Sequence, residues 1–260
     1  MAIRAPAWRG RLSAACAVSC VLAAAGVARA QPRISTTEAQ LLATFNQAGA
    51  GNHWVITLQH FSTWSRGSNF FFLDASAPPG LQFYRDGLGL YLEYAPVVSL
   101  SRLTGARVGR GRLTDVGATL QINGGFTPGG FEIPRVFLEG VDLAWNVPGI
   151  LVFDTQLLAR QERTYHPSWQ VTLIYTAPFR VGRAPVLVQG FVDVWRRSQS
   201  GAPTSTVLLA QPQILARLAG GNGDGELQIG VELEPSHDFP TRAVHAGWRL
   251  AYSPMLRWVF

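Results

Sequence analysis

On the expected strand phases, three strands set an aromatic ring and a carboxylate two residues apart on the inward face: Phe72 with Asp74, Tyr91 with Glu93, and Phe191 with Asp193. Trp195 follows the last pair at the same spacing. Residues two apart in an extended strand project from one face, so each pair presents a flat π surface beside hydrogen-bond acceptors. Asp154 and Gln156 add acceptors, as do Gln228 and Glu232, and Arg160 supplies a cation able to pair with one of the acids. The combination suits an uncharged solute with an aromatic face and hydroxyl or amino groups. Stacking contributes ~1–3 kcal/mol per base, and carboxylates and amides accept from hydroxyls. Weak sites in series favour passage, because one tight site would trap the solute. The plainer alternative makes the aromatics interfacial girdles and the acids solvated lining.

Catalytic chemistry has one foothold. His60 and Ser62 share a strand face and Asp74 follows. This is faintly similar to the His-x-Ser and acid arrangement of outer-membrane lipid A 3-O-deacylases, in which a base activates a serine. The surrounding residues fit a channel better, and no enzymatic activity is expected. A closed structural barrel is a third alternative. No metal or other cofactor is expected: His53, His60, His166, His237 and His245 fall in different segments, without close ligand spacing. The glycines from Gly220 to Gly225 read as turns rather than a phosphate cradle, since no strand–loop–helix context follows.

The elements that must position these residues are strands. Arg4, Arg9 and Arg11 precede an apolar run from Leu12 to Val27, and Ala28-Arg29-Ala30 gives a small-x-small cleavage pattern. Residues 1–30 are therefore expected to be a cleaved secretory signal. Both cysteines, Cys16 and Cys20, lie within it, which excludes a disulfide-stapled secreted domain. The remainder carries 18 arginines, no lysine and 16 acids. That near balance gives no reason to expect a nucleic-acid polymer as partner. No second apolar run is long enough for a spanning helix, and apolar residues instead alternate between Gly- and Pro-rich punctuation.

The cleanest alternation runs from Glu226 to Glu234, with Leu227, Ile229, Val231 and Leu233 opposite an acidic and polar row. Similar segments predict an all-β fold: a transmembrane, antiparallel, up-and-down β-barrel over 53–260, in the outer membrane. About twelve strands fit, at roughly 54–64, 69–75, 86–99, 113–124, 134–145, 150–161, 167–177, 185–196, 206–218, 225–234, 242–250 and 252–260. Ten is the alternative, because Ser253-Pro254 is a poor hairpin turn and 242–260 could be one strand with its loop. Residues 31–52 read as a periplasmic N-terminal segment, with a short helix over Ser35–Phe45 capped by Thr36 or Thr37. Arg102, Arg107, Arg110 and Arg112 crowd one loop that could contact lipopolysaccharide phosphates, though a solvated loop explains them as well. At the end, Tyr252, Pro254, Leu256, Trp258 and Phe260 alternate as a closing strand should. Such a strand is expected to face outer-membrane lipid, to meet the barrel-assembly machinery, and to pair with a strand starting near Trp54.

The stretch from His60 to Asp74, with its Trp64, Gly67, Asn69 and Phe70-Phe71-Phe72, resembles the first hairpin of the nucleoside-specific channel-forming (Tsx-like) outer-membrane family. The resemblance continues through Leu92-Glu93-Tyr94-Ala95-Pro96, Gly140-Val141-Asp142-Leu143 with Val147-Pro148-Gly149, and Tyr165 to Phe179. Gly190-Phe191-Val192-Asp193 and Arg257-Trp258-Val259-Phe260 complete it. It implies a monomeric twelve-stranded barrel that admits nucleosides by passive diffusion. The chain departs from that family in its compactness, its lack of lysine, and Asn69 where family members often carry Asp.

Overall fold

A computed structural model describes residues 34–47, 51–77, 87–127, 130, 132–201, 204–220, 225–239 and 247–260. The expected signal segment and His245 lie outside these residues. Alternating side chains with short turns give strands β1 (Ile34–Gln47), β2 (Gly51–Trp64), β3 (Gly67–Ala77) and β4 (Gly89–Ser99). A five-residue helix, α1 (Leu100–Thr104), then leads to β5 (Leu113–Phe126), β6 (Glu132–Trp145), β7 (Val152–Glu162), β8 (Ser168–Val181) and β9 (Ala184–Arg197). The remaining strands are β10 (Ser205–Ala210), β11 (Gln213–Gly220), β12 (Glu226–Phe239) and β13 (Arg249–Val259).

Each strand pairs antiparallel with its neighbours, and β1 pairs with β13, closing the sheet. β10 and β11 each pair with both β9 and β12, so they occupy one position in the wall. The result is a closed antiparallel barrel of twelve strands. Closure removes the sheet edge, and together with the apolar outer face it fits an outer-membrane protein. β1 begins and β13 ends at the same mouth, called here the terminal mouth; the other is the far mouth.

The register separates the two faces of the wall. Leu41, Ile56, Leu92, Leu120, Leu157 and Leu256 point outward and are exposed, as a lipid-facing band requires. The opposite parity carries buried polar groups, among them Glu38, Gln40, Thr57, Gln121, Gln156 and Arg257. Glu139 is the exception among the described residues, a carboxylate on the outward face in the middle of a strand, opposite Leu120 and Ala159.

Three expectations need correction. Ser35–Phe45 is no helix in a periplasmic segment: it lies within β1, and 34–47 belongs to the barrel. Its Leu41-Leu42 pair disguised the alternation, because Leu41 faces out while Leu42 is buried inside. Of the expected strands at 242–250 and 252–260, residues 242–246 lie outside the described residues, while Arg249–Val259 forms one strand, β13, with no turn at Ser253-Pro254. Pro254 pairs with Val231 of β12, while the ladder to β1 lapses between Met255 and Tyr252. A proline has no N–H to offer there, and the Thr44 and Ser253 hydroxyls bond instead at 2.9 Å. The losses and gains cancel, so twelve strands remain. The closing strand accordingly meets β1 and β12, not the strand that starts near Trp54.

Between β10 and β11 the wall breaks at Gln211-Pro212 and presses against β9 at Gly190. There φ is +147°, and a Cβ would come within 2.1 Å of the Gln211 carbonyl oxygen. Glycine is required at that contact.

Candidate functional site

All eleven nominated residues lie at inward-facing positions of the register. On β3 and β4, Phe72 stands opposite Glu93, and Asp74 opposite Tyr91. The Phe72 and Tyr91 rings tilt together with centroids 5.9 Å apart. Tyr91 donates its hydroxyl to Glu93 Oε1 at 2.6 Å, and Asn123 of β5 donates to the same oxygen at 3.0 Å. Thr57 of β2 donates to Asp74 at 2.5 Å. Sequence reasoning placed Asn123 on the polar face without assigning it to the site.

Across the interior, Thr172 of β8 donates to Asp193 at 2.6 Å. Arg160 of β7 lies 4.9 Å from the centre of the Trp195 ring and forms an ion pair with Glu162 at 2.8 Å. It also donates to Gln170 at 2.5 Å. Glu93 lies within electrostatic reach of Asp74, Asp193 and Arg160. The chain thus gathers Phe72, Asp74, Tyr91, Glu93 and Asp193 on the inward face with Arg160, whose guanidinium covers Trp195; this polar part of the lumen is called here the chamber. Phe191 and Asp154 project inward from neighbouring strands, where each is opposed by Ile174 of β8.

The other nominated residues belong elsewhere in the lumen. Gln156 donates to Asp142 and accepts from Gln121, both at 2.8 Å. Gln228 donates to Glu226 at 2.5 Å near the terminal mouth. Glu232 accepts from Gln213 at 2.8 Å, and the same Gln213 amide reaches Gln40 of β1 at 3.1 Å. β11 and β1 are not neighbours in the wall, so this amide pair spans part of the interior.

Beside that bridge the lumen is apolar. Leu42 of β1, Leu215 of β11 and Met255 of β13 pack together inside the barrel, with Val55 and Leu187 against them. Leu215 is 1% exposed. A second inward cluster joins Val136, Leu138 and Leu158. These residues were missed, although adjacent apolar pairs such as Phe137-Leu138 and Leu157-Leu158 signal a strand apolar on both faces. A hollow of about 480 Å³ lies towards the terminal mouth, lined in part by Leu187, Leu215, Arg217, Glu226 and Gln228.

The catalytic foothold separates on inspection. His60 projects outward, where its ring lies 5.5 Å from Phe71 and Nδ1 is 2.9 Å from the Thr37 hydroxyl. Ser62 shares that face, whereas Asp74 pairs with Thr57 on the inward one. The wall of the barrel stands between base and acid. The arginine-bearing loop between β4 and β5 lies at the terminal mouth, and Arg102 donates to the carbonyls of Trp64 and Gly67 at 2.9 and 2.8 Å. No group of histidines or acids able to hold a metal occurs among the described residues. No family model matches the chain, and no curated protein does.

Proposed function

We propose that the chain is an outer-membrane channel that passes small uncharged solutes by passive diffusion, with nucleosides as the best-fitting class. The observation that supports this most is the chamber in which Phe72, Tyr91 and Glu93 face Asp193 and Trp195. It offers aromatic faces and acceptors to one solute, at a spacing set by the β3–β4 ladder. A planar base would lie against Phe72 or Tyr91 while its ribose hydroxyls donate to Glu93 and Asp193. The family resemblance points the same way. The working form is a monomer.

A closed structural barrel is the second reading, favoured by the Leu42–Leu215–Met255 cluster and the Gln40–Gln213 bridge. Single-channel recording in planar bilayers separates the two. The channel reading expects conductance that added nucleoside blocks, with weaker block in Phe191→Ala and Asp193→Ala. Silent bilayers, or block equal to wild type in both variants, would count against it. For the deacylase alternative, Ser62→Ala should leave lipid A acylation as in wild type; a change would revive it.

A further inference from the structure

The charges inside the barrel do not balance. Four inward arginines are each committed to an acid: Arg160 to Glu162 at 2.8 Å, Arg217 to Glu226 at 2.9 Å, Arg249 to Asp238 at 3.7 Å, and Arg257 to Glu38. Arg197 leans on the rings of Tyr165 and Trp195, at 5.0 and 5.8 Å, with its Nε–H unpaired. Among the described residues neither it nor Arg180, towards the terminal mouth, has an acid partner. Against these two stand six acids, Asp74, Glu93, Asp142, Asp193, Glu232 and Glu234, which take their hydrogen bonds from neutral side chains. Thr57, Tyr91, Asn123, Gln156, Thr172, Gln213, Gln47 and Gln211 are the donors. These carboxylates are distributed over β3, β4, β6, β9 and β12, so they line the path from several sides. A second observation marks the chamber as a place for a guest. Trp195 is 8% exposed on the inward face, and its indole Nε1–H has no partner.

On the basis of the channel reading, we infer that the lumen admits cationic and neutral solutes and excludes anions, phosphorylated solutes among them. A lumen lined by one sign of charge between low-dielectric walls concentrates ions of the opposite sign. A neutral solute enters without that penalty, and an acceptor on it can take the free Trp195 N–H. A phosphate brings its charge towards Glu93, Asp74 and Asp193, where the guanidinium within electrostatic reach of Glu93, Arg160, is already paired with Glu162.

The test is the reversal potential of the purified protein in planar bilayers under a KCl gradient. Wild type should favour K⁺ over Cl⁻ by about tenfold. The Glu93→Gln/Asp193→Asn double variant should bring the ratio towards unity, while Glu139→Gln, on the outward face, leaves it unchanged. Liposome swelling should be faster with a nucleoside than with its monophosphate. Conductance without cation preference, or a double variant as selective as wild type, would overturn the inference while leaving the channel intact. Bilayers that stay silent would overturn the channel reading, and the inference with it.

Discussion

The chamber around Glu93 and the apolar cluster around Leu215 are built from the same inward face of the same sheet, yet they have opposite characters. In the chamber, polar groups satisfy one another at hydrogen-bond distance and one donor remains unused. In the cluster, Leu42, Leu215 and Met255 exclude water by packing. The apolar region begins within a single inward step along a strand from the Gln40–Gln213 bridge: Gln40 to Leu42 on β1, and Gln213 to Leu215 on β11. Facing inward therefore does not mean facing water. Under the proposed channel function, the first region would supply recognition and the second would limit how wide the path can be.

The strongest way to break this contrast lies beside the cluster, at the buried pair of Arg257 and Glu38. Arg257→Ala leaves Glu38 without its countercharge, and loss of one partner of a buried pair costs about 3–5 kcal/mol. Urea unfolding of the refolded barrel should show it, and a midpoint equal to wild type would mean that the pair is wetter than it looks. Next, Leu215→Ala should cost about 2–5 kcal/mol and raise conductance by widening the path. Unaltered conductance would place the narrowest point elsewhere. The smallest effect is expected in the chamber. Tyr91→Phe removes one hydrogen bond to Glu93, worth about 0.5–1.5 kcal/mol, and should weaken nucleoside block more visibly than it shifts the unfolding midpoint.

The faces of the strands were legible in the sequence because the pleat repeats every two residues and lipid on one side enforces the alternation. Phe72, Glu93 and Asp193 could be placed inside on that ground alone. What fills the inside was less legible. Leu42, Leu138 and Leu158 each follow an outward apolar residue, and the resulting doublets blur a period of two. In β1 the doublet at Leu41-Leu42, beside Thr36 and Thr37, imitated a capped helix. Pro254 blurred the last division of strands in another way, since a proline is unusual inside a paired strand and yet makes a poor hairpin turn after Ser253. β13 tolerates it by giving up part of its ladder to β1. The distances between strands far apart in sequence, such as β4 and β9, follow from closure, which no local pattern encodes.

Closure by β1 and β13 also orders events in time. The contact between Glu38 and Arg257 joins residues near opposite ends of the chain, so it becomes available only after every intervening hairpin is present. Such distant pairing is slow, because the loop entropy is lost before the contact forms. Until then an incomplete sheet presents two strand edges with unpaired backbone groups, which lipid cannot satisfy. On that order the Glu38–Arg257 pair would form among the last contacts of the closing seam. Its absence would show first as slow or failed insertion, before any change in what the finished barrel admits.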